Sequence, residues 1–305
     1  MSDPKRPGDP HSAYALDAAW LRRGFDRAGT TYDAAAVLES EVRDRLLERL
    51  DLTALAPDVV LDAGAGTGLT SRALKRRYPK ARVLAVDSSL GMLRTAARRR
   101  SWLRPFSRVC ADAAALPLKD ASVDLIVSNF LLPWIDPERV LKEFRRVLAP
   151  HGLLSFTSLG PDTLKELRAA WAQVDAHTRV LQFIDMHDLG DALMRLGFAA
   201  PVLDVERYTL YYTEVRRLAA DLKALGARNA TAGRLKGLTG PRKFAAMAQA
   251  YEAFRRDGRL PATHEVVFGQ AWGAAEASAP HLDRGGSRTI PLDDMRRQLR
   301  GRGRS

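Results

Sequence analysis

VVLDAGAGTG, residues 59–68, joins a short apolar run to a glycine-rich turn. Val59, Val60 and Leu61 have the β-branched, continuously apolar character of a central parallel strand covered on both faces. Asp62 closes the strand. Gly64, Gly66 and Gly68 permit torsions and close ligand approach that a Cβ would block, and an apolar helical pattern resumes at Leu69. A dinucleotide fingerprint needs glycines at the first, third and sixth positions of the turn, and here the sixth is Leu69. An acid two residues before the first glycine repels a pyrophosphate but accepts a hydrogen bond from an amino group. The turn therefore suits S-adenosylmethionine (SAM), whose polar handles are an amino acid end, a ribose and an adenine, with Asp62 expected at the amino group.

The chain beyond the turn repeats the pattern. ARVLAVDSS is a second apolar strand ending in Asp87, about one βαβ repeat further on, where a carboxylate can grip both ribose hydroxyls. Ser88 and Ser89 are available to cap the following helix, so a cap alone does not require Asp87. SRVCADAAALPL ends a third strand at Asp112 and Ala113, positioned for the adenine edge. VDLIVSNFLLPW carries Asn129 and Trp134 out of a fourth strand toward the space above the cofactor. EFRRVLAPHGLLSFTS then gives a helix, a stop at Pro150 and Gly152, and a fifth strand.

With DAGAGTG, AVDSSLGML, ADAAALPL and RVLAPHG in this order, residues 59–158 resemble the class I SAM-dependent methyltransferase core. The expected fold is α/β and Rossmann-like: a seven-stranded, mostly parallel sheet with helices on both faces. The resemblance implies that Asp62, Gly64 and Gly66 hold the methionine end, that Asp87 and Met92 hold ribose and adenine, and that Asp112 and Ala113 meet the adenine. Gly68, Ser88 and Asn129 complete the expected cofactor set. Glu143 and Arg146, at i, i+3 spacing, read as a structural salt bridge on one helix face. A shared core of this kind indicates fold and cofactor, not acceptor.

Composition narrows the remaining classes. At 305 residues and 46% hydrophobic, the chain can build one large or two modest cores. No apolar run approaches the roughly 18 residues of a transmembrane helix, and MSDPKRPGDPHS lacks the apolar stretch of a signal peptide. The single cysteine, Cys110, excludes a disulfide framework, a zinc spacing and a three-cysteine radical cluster. No metal is expected, and a reducing cytoplasm is the expected compartment. The formal charge of +12 comes from basic runs at 75–77, 94–104 and 216–236 and from the terminal RRQLRGRGRS. Such runs are usually solvated faces. Read as partner sites, they would attract nucleic acid or an acidic protein such as an acyl carrier protein.

Outside the core, residues 1–12 read as a disordered leader and 13–50 as helices covering the cleft, with Leu38, Val42, Leu46 and Leu50 on one stripe. Residues 51–273 form the methyltransferase domain, and 274–305 a basic, disordered tail. APVLDVERYTLYYT and THEVVFGQAWG read as strands 6 and 7. The mostly helical 214–260 between them is far longer than a hairpin needs and is expected to be a substrate lid.

FDRAGTTYDAAAVLESEV, NFLLPWIDP, FTSLGPDTLKELR, FIDMHDLGDALMRLGFAAPVLDVERYTLYY, DLKALGARN and HEVVFGQAWG, taken in that order, resemble the malonyl-acyl-carrier-protein O-methyltransferase family of biotin synthesis, from about Phe25 to Gly273. The resemblance implies methyl transfer from SAM to the free carboxylate of a malonyl thioester, on acyl carrier protein or on coenzyme A. That carboxylate is already ionised, so no general base is expected. Tyr32, Trp134 and Arg179 are the candidates for positioning it. His187, flanked by Asp185 and Asp188, could belong to a metal cluster, but acids at a helix start are more economically caps. Two alternatives stay open: an RNA or DNA methyltransferase using the basic surface, and a non-methylating assembly or hydroxylation protein on the same core. Against the first, the fourth strand ends in NFLLPW instead of the Asn-Pro-Pro-aromatic turn used on base amines, which makes nucleic acid an unlikely partner.

Overall fold

A computed structural model describes residues 16–99, 103, 105–226, 229–231, 237 and 239–274. The expected leader, the tail from 275 onward, and Arg228, Arg234 and Lys236 of the insertion lie outside the described residues.

Seven strands form one sheet in the order β3-β2-β1-β4-β5-β7-β6. They are β1 (Val59–Ala63), β2 (Arg82–Asp87), β3 (Ser107–Cys110), β4 (Val123–Ser128), β5 (Leu148–Leu159), β6 (Phe198–Tyr212) and β7 (Leu260–Gly273). The first five pair in parallel, and β7 lies antiparallel between β5 and β6. The chain leaves β1 toward β2 and β3 and returns on the other side to β4. This reversal opens a crevice at the carboxyl ends of β1 and β4, where open α/β sheets bind ligands.

Period-two alternation assigns each strand residue to a face. Val60, Val83, Leu125 and Val127 pack with α4 (Leu69–Arg77) and α5 (Leu90–Arg99), while Leu61, Leu84 and Ile126 pack with α6 (Pro137–Val147) and α8 (Met186–Arg195). Ahead of β1 come α1 (Ala18–Ala28), the single turn α2 (Tyr32–Ala35) and α3 (Val37–Arg49). The stripe Leu38, Val42, Leu46 and Leu50 is buried in the first of these faces. That burial puts α3 in the sheet sandwich, and only α1 and α2 remain to cover the cleft. Arg49 at the end of α3 reaches the edge strand, with Nη1 2.5 Å from Asp204 Oδ1 and Nη2 2.6 Å from Glu206 Oε1.

Tyr212 pairs with Leu260, so the strands of the β6–β7 hairpin stay in register up to the point where 213–259 leaves the sheet. Because β6 runs parallel to β5, that point is at the carboxyl edge, on the side of the crevice. The insertion contributes α9 (Val215–Ala224) and α10 (Pro241–Tyr251), which pack with α7 (Lys165–Ala172) around a third core including Trp171, Leu218, Met247 and Tyr251.

Candidate active site

The crevice opens into a cleft of about 1020 Å³. Its floor is the glycine turn, which is tied to the sheet because Gly64 and Ala65 both donate backbone N–H bonds of 2.9 Å to the Val86 carbonyl. Gly64 and Gly66 line the cleft. At Gly66, φ is +52° and a Cβ would meet nothing within 4 Å, so the missing side chain leaves ligand-sized space. The Gly66 N–H donates to Asp87 Oδ2 at 2.9 Å, and the Ser89 N–H donates to Asp87 Oδ1 at 2.7 Å. Each Asp87 oxygen thus keeps free acceptor capacity toward the cleft. Ser89 also caps α5, accepting from the Met92 N–H at 3.1 Å, so Asp87 is not needed for that task.

Ser88, Met92, Asp112 and Ala113 continue the wall beyond Asp87. Asp112 Oδ1 accepts from the Ala114 N–H at 2.9 Å, which fixes the turn after β3. Burial, reinforced by the Asp26 carboxylate, pushes the Asp87 carboxyl above its usual range. Among the described residues, the cations that line the cleft, Arg22, Arg139 and Arg195, come from α1, α6 and α8 and none from the strand ends. An inner wall of carboxylates without a facing cation suits a ligand bearing a sulfonium and an ammonium, and opposes a pyrophosphate. The open space over Gly66 and the free acceptor sites of Asp87 fit SAM on the same grounds.

The roof comes from the N-terminal segment. Tyr32, Phe25 and Trp134 line the cleft, and the Phe25 and Trp134 rings meet edge to face at 5.7 Å between centroids. Burial, followed by the carboxylates of Glu39, Asp87 and Asp33, holds the Tyr32 phenol well above its ordinary range, so it remains an O–H donor. Asp33 accepts from Thr67 Oγ1 at 2.7 Å and pairs with Arg99, linking the glycine turn, α2 and α5. Asn129 lines the cleft with its amide engaged: Nδ2 donates to the Glu39 carbonyl at 3.0 Å and Oδ1 accepts from Thr157 Oγ1 at 2.8 Å. Glu39 is enclosed beside them, has one oxygen without a partner, and is pushed up to about 7 by burial.

Three sequence expectations are corrected by these positions. Asp62 is 1% exposed, does not line the cleft, and is bonded to Ser71 Oγ; it braces the turn from behind instead of reaching an amino group. Gly68 also faces away from the cleft. It starts α4 at φ +81°, where a Cβ would lie 2.8 Å from Ala96 Cβ. Arg179 is absent from the cleft wall because Asp175 captures it at 2.5 Å and Trp171 stacks against its guanidinium at 4.8 Å. Arg22, Phe25 and Asp33 were not singled out in the sequence. For Arg22 and Phe25 the one legible signal was their spacing with Leu21, which puts them on one side of α1; Asp33, on α2, had none.

Two structural readings can be placed directly. Asp185 caps α8 by accepting from the His187 N–H at 2.8 Å, and His187 is exposed; among the described residues no group of three or more His, Cys, Asp or Glu side chains could hold a metal. Glu143 and Arg146 form a paired contact of 2.6 and 2.9 Å, and Arg146 also donates to the carbonyls of Leu116 and Leu118. Together they brace the segment after β3.

Comparison with known proteins bears on the fold and the family. A family model described as "Methyltransferase domain" matches residues 61–156. The YcgJ protein of Bacillus subtilis shares the fold, with a TM-score of 0.56 at 16% identity, covering 75% of this chain and 98% of that one. The Malonyl-[acyl-carrier protein] O-methyltransferase of Methylovorus sp. (strain MP688) is 55% identical over 85% of this chain and 90% of its own length. That of Laribacter hongkongensis (strain HLHK9) is 51% identical over 90% and 95%. With SAM as its cofactor and a class I core at its centre, the chain belongs to the malonyl-[acyl-carrier protein] O-methyltransferase family.

Proposed function

We propose that the protein transfers a methyl group from SAM to the free carboxylate of a malonyl thioester on acyl carrier protein. The ester would prime pimeloyl synthesis for biotin, as the family resemblance implies. The observation that carries this reading is the division of the cleft: carboxylates and glycines at the strand ends, then an aromatic pair with arginines and carboxylates of α1, α6 and α8 further out. Neither a nucleic-acid acceptor nor a non-methylating role finds support in the family assignment.

In this reading Gly64, Gly66, Asp87, Ser88, Met92, Asp112 and Ala113 hold the cofactor, which when bound supplies an electrophilic methyl group. A malonyl carboxylate is ionised at neutral pH, so no side chain has to remove a proton before attack. The chain's task is to orient the carboxylate and strip its water. Tyr32 serves as the fixed O–H donor, held protonated by its surroundings. Trp134, packed on Phe25, walls the site against water. Asn129, locked by Glu39 and Thr157, holds the end of β4 in place.

Esterification removes the charge from the chain end, so that an apolar elongation pocket can accept what it would otherwise reject. The insertion 213–259 serves the substrate lid by holding α1, which carries Arg22 and Phe25 over the cleft. An acidic carrier protein is the partner, nucleic acid and membrane are not, and the compartment is the cytoplasm.

The test is transfer of label from methyl-labelled SAM to malonyl carrier protein, malonyl-coenzyme A and bulk RNA in parallel. A base-labile methyl ester on the carrier-bound malonate is expected. Label in RNA, or on none of the three, overturns the reading.

A further inference from the structure

The two rims of the cleft mouth differ in charge. On one side, α1 and α5 hold six arginines against a single carboxylate, Asp26. Asp26 is engaged locally: its Oδ1 accepts from Ser89 Oγ at 2.7 Å and from the Gly91 N–H at 2.9 Å. Thr95 Oγ1 donates to the Gly29 carbonyl at 2.8 Å, so the end of α1 is interlocked with the first turns of α5. At Gly91 the two chains are so close that a Cβ would lie 2.3 Å from the Asp26 carbonyl oxygen. Arg27 and Arg94 therefore belong to adjoining turns. Arg22, Arg23, Arg27, Arg94 and Arg98 are all exposed, and none has a side-chain hydrogen bond or ion pair with the described residues. Arg22 carries this basic surface into the cleft lining.

The opposite rim, from the start of α6 and from α8, places Asp136, Glu138, Asp188 and Asp191 in the same lining against Arg139 and Arg195. Among the side chains that line the cleft its balance is negative by two, against Arg22 alone from the α1–α5 rim. A nucleic acid would have to lay a continuous row of phosphates across both rims and would meet four carboxylates. An acidic globular partner that sends only a narrow tether into the cleft needs a single basic rim. Unpaired arginines beside such an opening also raise the encounter rate of an acidic partner, and a repulsive facing rim fixes its orientation.

We infer that the α1–α5 rim is the docking face for the acidic carrier protein that presents the malonyl thioester, with Arg22 marking where its tether enters. This deepens the function proposed above and puts the docking face on α1 and α5, not on the insertion, which carries another of the sequence's basic runs, 216–236.

The experiment measures binding of malonyl-loaded carrier protein by fluorescence anisotropy for the full chain and for the double variants R23E/R27E and R94E/R98E, leaving Arg22 in place. R216E/R217E on α9 is the control. The KM for malonyl-N-acetylcysteamine, SAM affinity and thermal midpoint are followed in all of them. Each rim variant is expected to weaken carrier binding about tenfold, to lose most of the salt dependence, and to leave the small thioester within about twofold. The neutral variants R23Q/R27Q and R94Q/R98Q should fall between, which keeps the result readable if a reversed pair perturbs folding. Equal losses with carrier and small thioester, a larger loss in R216E/R217E, or no binding of the carrier by the unmodified chain would each overturn the docking face. Carrier binding through this rim without methyl transfer would sustain it while removing the proposed reaction.

Discussion

Gly64, Gly66 and Gly68 all have positive φ, but the space around them separates their roles. Alanine at Gly66 carries the left-handed cost of roughly 1–2 kcal/mol and points a methyl group into the cleft, where no protein atom lies within 4 Å. Alanine at Gly68 carries the same backbone cost and drives its Cβ to 2.8 Å from Ala96 Cβ, an overpacking term of about 1–3 kcal/mol. Gly66→Ala should therefore lose SAM affinity, read by calorimetric titration, out of proportion to its fall in thermal midpoint. Gly68→Ala should show the reverse, and matching profiles for the two would refute the assignment. Glu39 makes a second prediction. Burial raises it from 4.5 to about 7, with the Asp221 carboxylate adding to the effect, and Tyr32 and Tyr212 share its surroundings. Between those two values the folded state binds the proton more tightly than the unfolded chain, so Glu39 costs stability as pH rises through the window. The cost is absent below about pH 4.5 and complete above about pH 7. In Glu39→Gln the midpoint relative to the unmodified protein should climb by a few degrees from pH 5 to pH 8. Taking the difference cancels the opposite trend of the buried His264, which is held below its ordinary value. A difference that stays flat with pH would show that Glu39 keeps its charge.

At the scale of elements, Arg146 on α6 shows how a helix positions a cofactor wall that it does not form. Its guanidinium bonds to Glu143, Asp120 and the carbonyls of Leu116 and Leu118, and Glu143 accepts from the Leu116 N–H at 2.7 Å. Arg146→Ala leaves two carbonyls and two carboxylates without the guanidinium, a loss of roughly 2–4 kcal/mol. The expected result is a lower thermal midpoint and weaker SAM binding, with kcat at saturating SAM within about threefold of the unmodified enzyme. A collapse of kcat at saturation would instead give Arg146 a part in the chemistry. This pair could be read from the sequence because i, i+3 spacing on a helix is a local fact. So could the strands, whose apolar runs are bounded by glycine and proline, and the place of Asp87 at a strand end. Arg179 could not, because its fate depends on how the non-helical stretch after α7 folds Asp175 back onto it and on Trp171 stacking over it. Asp62 was misplaced for a related reason: the pattern puts an acid at the end of β1 but says nothing of Ser71, which turns that acid inward. The face of α3 was legible, but its place in the sandwich was not, since a buried stripe does not name what buries it.

Across the whole molecule, the N-terminal segment is held by two parties. The end of α1 is fastened to α5 through Asp26 and Gly29, and the insertion holds the segment both before and after the helix. The Asp17 N–H donates to the Ala230 carbonyl at 2.8 Å, Leu16 bridges to Thr231, and Thr31 Oγ1 donates to the Ala224 carbonyl at 3.1 Å. Between these bonds the helix and the insertion pass at close range: Gly226, at φ +74°, would place a Cβ 3.3 Å from Ala28 Cβ and from the Gly24 carbonyl oxygen. Phe25 and Arg22 ride on that same stretch of α1, so the aromatic wall and the mouth depend on the insertion even though, among the described residues, none of the cleft-lining side chains comes from it. Gly226→Val tests this dependence, because a β-branched residue is a genuine outlier at positive φ and its bulk would push α1 away. Amide hydrogen exchange should quicken in the first two turns of α1 while β1, β4 and β5 keep their protection. Methyl transfer to the malonyl carrier should fall by more than tenfold, an effect of about 1.4 kcal/mol or greater, and the strand-end contacts to SAM should be largely spared. Unchanged exchange in α1, or a loss of SAM affinity as large as the loss of transfer, would mean that the insertion and the roof are independent. The long segment between β6 and β7 would then have to act on the substrate directly, not through the helix it holds.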